Sequence, residues 1–439
     1  MKLNVMRAIL IGALCLIAPT DITAVNQSYY DINLIGYVDG LGSLACHTSS
    51  FIECLQASPV HINLIKTRAC VTTSFPDYFK RIVANGTDLT TIAQPNKYKR
   101  PLTGITVYTD IIYPNKNWRY YLSIPNKSVI KFAYCVTERS QILDAWVKML
   151  NDNFDALLVP DEWLIDVYKN SGVKLPIFVL PEVLDLNHFL AKEPPKDHRH
   201  PFVFGFSGGF WPRKNHELLL RAFVEEFGNN PHVILRLHGR FGNYLRKILE
   251  TFNQIKTRNV TLEHKALSRR EFQNFLTSLD CYVTISKGEG FSIVPREVLA
   301  AGIPCIVSNN TAQTTICKSG CVYSVPSNII EDSYHLKLEE NFGHDFNCDI
   351  KDVRKALRDV YENYQHHRAL AKQGREWVKQ YLAENLKQKY CMLVQPKNVI
   401  LGDCNEITNE YLMTDSQELF KRYNKLMTAG KLRPKAVRR

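Results

Sequence analysis

The stretch CYVTISKGEGFSIVPREVLAAGIPCIVSN, Cys281–Asn309, decides the fold. Cys281–Ser286 is a short apolar run rich in strand-forming residues and reads as a buried β-strand. Pro295 is favoured at a first helical position, so PREVLAAG reads as a helix ending at Gly302. IPCIVSN is the next strand. Between the first strand and the helix lies the turn KGEGFS, in which Gly288 and Gly290 allow a tight bend and a close backbone approach. Strand, turn, helix and strand in that order form the βαβ unit of a parallel sheet.

Working outward, the same alternation fills the chain. FVFGFSG, HVILRLHG and VTLEHK are strands; NHELLLRAFVEEFG, NYLRKILETFNQI and SRREFQNFLTSL are helices, the last with Ser268 as expected N-cap. The segment from Asp349 to Leu382 reads as one long helical stretch. Upstream, INLIGYV, VHINLIK, GITVYTDII, VIKFAYCV, FDALLVP and PIFVLP are strands, with helices at ACHTSSFIECL, SQILDAWVKMLNDN and DEWLIDVYKNSGV. Residues 191–202 are charged and Pro-rich and read as a linker. The expected organisation is a signal-like or anchor segment (1–24), an N-terminal Rossmann-like domain (25–190), that linker, a C-terminal domain (203–385), and C-terminal helices with a basic tail (386–439). The fold class is α/β: two tandem doubly wound parallel-sheet domains facing a cleft, where ligands bind at the carboxyl ends of the strands.

The chemistry centres on the opening turn. Glu289 and Glu297 stand with seven residues between them. Amides at Phe291, Ser292, Ile293 and Val294 at a helix start form an anion site, and each carboxylate can accept two hydrogen bonds from a vicinal diol. An anion cradle between two diol acceptors suits a nucleotide-sugar. The plainer reading is that Glu297 caps its own helix and Glu289 is solvated. Upstream, FSGGFWPRKNHELLLRAF sets Arg213 and Lys214 at the start of a helix, where the dipole disfavours cations, so an anionic partner explains them better.

These motifs, PRKN before a helix, EGF with a second Glu eight positions after the first, and VLAAGIP, resemble the retaining family 4 glycosyltransferases of the GT-B fold. The resemblance covers roughly residues 130–380, including LNDNFDALLVPDEWLIDVYKNSGVKLPIFVLPEVLDLNHF. It implies that Lys214, with Arg213, contacts the donor diphosphate, Glu297 the ribose and Glu289 the donor hexose. The amides of Gly290, Phe291 and Ser292, with Ile293 beside them, would hold phosphate and sugar oxygens. The family often carries a second cation six residues before the motif lysine; here that position is Gly208, and Arg213 is the candidate substitute. Retention would use front-face attack, with the departing phosphate deprotonating the acceptor.

In the N-terminal half, Gly40-x-Gly42-x-x-Ala45 follows a strand, the form of a dinucleotide fingerprint. The second strand ends on Lys66-Thr67-Arg68 rather than an acid, which leaves three readings: NADP, a loop approaching donor sugar and acceptor, or a plain tight turn. Glu138 is a candidate acceptor contact or a helix cap. His47 reads as an ordinary core or surface histidine. No Asp-x-Asp lies near the cleft loops, so no metal and no other cofactor is expected. The expected partners are a nucleotide-sugar and a glycan, lipid or protein acceptor; the alternatives are an inactive nucleotide-sugar or glycan binder and an NADP-dependent oxidoreductase.

With 439 residues, 45% hydrophobic and 22% charged, the chain can bury two cores. A net charge of +12 points to anionic partners, but no nucleic-acid partner is expected. Lys421–Arg439 carries eight Lys or Arg and no acid, as a solvated tail or a tether to anionic lipid. Lys2 and Arg7 before an apolar run from Ala8 to Ala18 have the layout of a secretory signal. That sits against nucleotide-sugar use, which favours a cytoplasmic membrane face. The sequons at Asn26, Asn85, Asn126, Asn259 and Asn309 fit a secretory route. Among the twelve cysteines, Cys317 and Cys321 could close a short disulfide; Cys46, Cys54, Cys70, Cys135, Cys281 and Cys305 read as buried thiols.

Overall fold

A computed structural model describes residues 30–37, 43–55, 60–67, 89–92, 101–110, 124–128, 130–240, 242–255, 257–335 and 340–394. The leader, Gly40, Gly42, Cys70 and the basic tail lie outside the described residues.

Two parallel sheets are present. The first contains β1 Tyr30–Gly36, β2 Val60–Lys66, β3 Leu89–Ile92, β4 Ile105–Tyr108, β5 Ile130–Tyr134, β6 Ala156–Val159 and β7 Ile177–Val179, in the order β3-β2-β1-β4-β5-β6-β7. The second contains β8 Phe202–Ser207, β9 Val233–Gly239, β10 Val260–His264, β11 Cys281–Thr284, β12 Cys305–Asn309 and β13 Tyr323–Pro326, in the order β10-β9-β8-β11-β12-β13. Each strand order reverses once, at β1/β4 and at β8/β11, and the loops there open a crevice. β6, β8 and β11 are buried along their whole length, which is why they read as near-continuous apolar runs.

The helices of the first domain are α1 Ser43–Cys54, α2 Asp144–Asn153 and α3 Trp163–Asn170. After α4 Asn187–Leu190 come α5 His216–Phe227, α6 Leu245–Ile255, α7 Arg269–Thr277, α8 Ile293–Ala300 and α9 Gln313–Lys318. Ser268 caps α7 in a reciprocal box with Glu271, as its sequence predicts. The long helical stretch is two helices, α10 Ile350–Glu362 and α11 Tyr364–Trp377, because Asn363 leaves the helical region at φ −110°, ψ 35°. α12 Ala383–Val394 returns to the first domain, where Leu386 and Tyr390 join its core and Tyr390 stands edge-on to Phe51 at 4.8 Å.

The chain passes from the first core to the second between Val183 and Leu184. The Pro-rich segment that follows is tied down. Asp280, fully buried, accepts bonds from Val203 N (2.8 Å) and Arg199 N (3.0 Å), and Arg375 donates to the carbonyls of Leu190 and Lys192.

The sequence reading lacks β3, β13, α4 and α9, and it lacks a hairpin. β14 Ile329–His335 and β15 Glu340–Asn347 form an antiparallel hairpin that reaches the first domain. His344 N donates to Ser140 Oγ (2.8 Å), Arg139 lies 3.6 Å from Asp345, and Phe342 meets the Trp146 ring at 5.5 Å. Its base holds the second domain's loops, with Lys287 on Glu331 (2.5 Å) and Asn215 on Asn347 (2.7 Å). Cys317 and Cys321 are free thiols, so the disulfide expectation fails. The Asn259 sequon is buried, with both amide hydrogens engaged by Asn230 O and Val233 O.

The domains also meet through bare backbone. A Cβ on Gly288 would lie 2.1 Å from the Glu138 carbonyl oxygen, and one on Gly290 would lie 2.1 Å from Val136 Cγ1. Gly288→Ala is therefore expected to force the 136–138 loop away and cost about 1–3 kcal/mol as overpacking does. A lowered thermal midpoint would show it, and an unchanged midpoint would count against this contact.

Candidate active site

Residues 289–292 of the turn line a cleft of about 340 Å³ between the two domains, within the 300–1,000 Å³ usual for ligand sites. α8 starts at Ile293, two residues before the position expected from Pro295. Ser292 precedes it in the left-handed region at φ 65°, ψ 70°, a sparsely populated conformation for a residue with a side chain. Arg296 sustains this turn. It is fully buried, donates to the Phe291 and Ser292 carbonyls, and lies over the rings of Phe291 (4.0 Å) and Tyr381 (4.8 Å). With those carbonyls engaged and the first amides of α8 lacking intrahelical partners, the turn keeps the anion-binding capacity read from its sequence.

Arg213 and Lys214 lie in a short 3₁₀ turn, Pro212–Lys214, just ahead of α5. Both meet Glu289. Lys214 Nζ is 2.5 Å from Glu289 Oε1 and Arg213 Nη1 is 3.1 Å from Oε2. Arg213 also donates to the Gly288 carbonyl (2.9 Å) and, across the domain interface, to Glu138 Oε1 (2.6 Å). Burial tends to raise the Glu289 carboxyl, but Lys214 and Arg213 outweigh it and hold it at about 2. Burial draws the Lys214 ammonium down, with Glu289 opposing. Glu289 is thus an ionised bridge between the two cations rather than a solvated loop residue. Glu138, the candidate acceptor contact, pairs with Arg213 across the domain interface.

Glu297 is buried as the fifth of the eight residues of α8, past the first turn in which its sequence places it. Burial pushes its carboxyl up to about 7, Arg269 pulls it down, and Asp185 adds to the rise. It forms no N-cap; the cap position of α8 is Ser292. Gly208 cannot simply be exchanged for a cation, because a Cβ there would lie 2.8 Å from the Phe206 ring and 3.5 Å from Lys214 Cδ. Gly290, Phe291, Ser292, Ile293 and Glu297 all line the cleft with Arg213, Lys214 and Glu289. Sequence reasoning missed Arg296 and Glu182. Arg296 lies within the quoted motif, but only its burial separates it from a solvated arginine. Among the described residues, no group of three or more His, Cys, Asp or Glu is placed to hold a metal ion, and no helix is long and apolar enough to cross a membrane.

Two doubly wound domains closing on a cleft with these groups define the GT-B fold. Residues 191–377 match the family described as Glycosyl transferases group 1. A curated relative, the Escherichia coli UDP-Gal:alpha-D-GlcNAc-diphosphoundecaprenol alpha-1,3-galactosyltransferase, is 29% identical over 157 residues. That match takes in 33% of this chain and 40% of the relative's length. The Anabaena Alr3699/HepE structure in complex with UDP and glucose superposes with a TM-score of 0.60 at 11% identity, over 84% of this chain and 100% of that one. A glycosyltransferase from Rickettsia africae gives 0.59 at 12% identity, over 85% and 100%. Over residues 191–377 the chain is thus similar to group 1 glycosyl transferases, and it shares the fold of the solved structures.

Proposed function

We propose that this protein transfers a hexose from a nucleotide-sugar to a glycan, lipid or protein acceptor with retention of configuration, in the manner of the family 4 enzymes it resembles. The observation that carries the reading is the convergence of Lys214, Arg213 and the α8 amides on one point of the cleft, with Glu289 between the cations. A nucleoside diphosphate leaves readily once its charge is neutralised, so no protein acid is needed. Glu289 orients the hexose and Glu297 the ribose; neither serves as a glycosidase-type acid or base. The acceptor proton passes to the departing phosphate, and no step requires a metal. The HepE structure bound to UDP and glucose and the E. coli enzyme named for UDP-Gal favour a uridine nucleotide. The latter's diphosphoundecaprenol substrate favours a lipid-linked acceptor. Such an acceptor would give the basic tail an anionic membrane surface to meet.

A second reading is an inactive nucleotide-sugar binder. It draws on Gly208 and on the engagement of both cations by carboxylates. Titration with UDP, GDP and NADP tests the ligand class, and binding of NADP alone would favour the oxidoreductase instead. Hydrolysis of intact donor without acceptor separates enzyme from binder.

The state of Glu297 gives a pH prediction. Its carboxyl in the free protein is raised to about 7 from the ordinary 4.5, and the ionised form is the stronger acceptor for a ribose hydroxyl. Affinity should therefore rise with pH through that value, being roughly tenfold weaker at pH 6 than at pH 8. The phosphate of the nucleotide also titrates, so the effect is read as the difference between the parent and Glu297→Gln. The stability term has the opposite sign: between about 4.5 and 7 the folded chain keeps a proton the unfolded chain has lost, so this residue's contribution falls as pH rises. Equal pH profiles for parent and variant would remove Glu297 from the binding step.

A further inference from the structure

The first domain presents a buried carboxylate that the reading above leaves unused. Glu182 follows β7 on the segment that leads into the second domain, and none of its surface is exposed. Its Oε1 lies 3.0 Å from His47 Nε2. His47, on α1, packs on the Tyr134 ring with centroids 4.7 Å apart. The other oxygen, Oε2, has no hydrogen-bond partner, although Glu182 lines the cleft. A buried acceptor left without a donor carries the full desolvation cost of the group, so this oxygen is suited to a donor that arrives with a ligand.

The cleft lining carries charges of both signs. Arg213 and Lys214 are engaged by Glu289. Glu182, Glu297 and Arg269 also line it, and Arg269 Nη2 lies 3.0 Å from Asp185. Glu182 and Glu297 both act on the buried Cys46 thiol, each raising its pKa after burial itself, which sets the two acids near one another. Carboxylates repel phosphate and accept from hydroxyls. In a nucleotide-sugar, the hydroxyl-bearing group on the nucleoside side of the diphosphate is the ribose, which has two hydroxyls. Resting on the nucleotide-sugar reading, we propose that Glu182 Oε2 accepts one ribose hydroxyl from the first domain while Glu297 accepts the other from the second. His47 is a positioning residue that fixes Oε1 and so the plane of the carboxylate. The free oxygen is covered from water in the unliganded protein, so the ribose meets it as the two domains adjust around the donor.

Calorimetric titration of the full chain with UDP, 2′-deoxy-UDP and 3′-deoxy-UDP, and with the matching GDP series, tests this. In the parent, both deoxy analogues should bind more weakly than the ribonucleotide. Glu182→Gln should raise the dissociation constant for the ribonucleotide about tenfold, the worth of one charge-assisted hydrogen bond. That loss should vanish for one deoxy analogue, and the loss from Glu297→Gln should vanish for the other. If the parent ignores the removal of either hydroxyl, the proposal fails without any variant being made. It fails also if Glu182→Gln binds as the parent does, or weakens all three ligands equally, as general loosening would. His47→Asn provides the same cycle should Glu182→Gln not fold. A parent that binds neither UDP nor GDP overturns the nucleotide-sugar reading itself, whereas a parent that binds one and is indifferent to Glu182 overturns only this inference.

Discussion

Glu289→Gln should lower the rate of sugar transfer by about 100-fold or more, the scale of a misplaced reacting group, without weakening nucleoside diphosphate binding. The carboxylate now neutralises Lys214 and Arg213 with one oxygen each. Removing its charge leaves Arg213, still held by the Gly288 carbonyl and Glu138, and Lys214, both with more charge to offer a diphosphate. Binding of the leaving group alone should hold or tighten. The hexose, however, loses a full negative charge that orders its hydroxyls, and this orientation matters most in the transition state. Titration with nucleoside diphosphate, alongside a transfer or donor-hydrolysis assay, reads the two effects separately. A variant that transfers at the parent rate would reduce Glu289 to a structural bridge.

Lys214→Ala acts on the opposite partner and should have the opposite signature. A charge-assisted bond to phosphate contributes about 1.5–3 kcal/mol, so nucleoside diphosphate affinity should fall by roughly 10- to 150-fold. The loss should be sharper than for an exposed lysine, because Lys214 is only 18% exposed and water screens it little. Glu289 would keep Arg213 as its remaining cation, so the turn should stay in place and the fold should survive. An unchanged dissociation constant would show that the diphosphate does not sit at this point of the cleft.

The two variants bear on how far each group was legible. The sequence by itself determined the strand–turn–helix unit around Gly288 and Gly290, the two doubly wound domains, and the candidacy of Lys214, Arg213, Glu289 and Glu297. Those signals are local: strands buried on both faces write continuous apolar runs, and glycine, proline and capping residues punctuate them within a few positions. It missed β3, whose four residues LTTI carry too little apolar signal, the short strand β13, and the hairpin β14–β15.

Only the tertiary structure decided the partners of those groups. Glu138 and Arg213 are 75 residues apart, and His47 and Glu182 are 135 apart. In sequence, Glu182 and Arg296 look like any solvated charge. Burial makes Arg296 a prop for the donor turn and leaves one oxygen of Glu182 without a donor. Against burial, Lys214 and Arg213 hold Glu289 at about 2, while burial raises Glu297 to about 7, although both began as glutamates of the same motif. The physical reason is that desolvation and Coulomb interaction depend on what the folded chain brings within a few ångströms, and no short stretch of sequence records that.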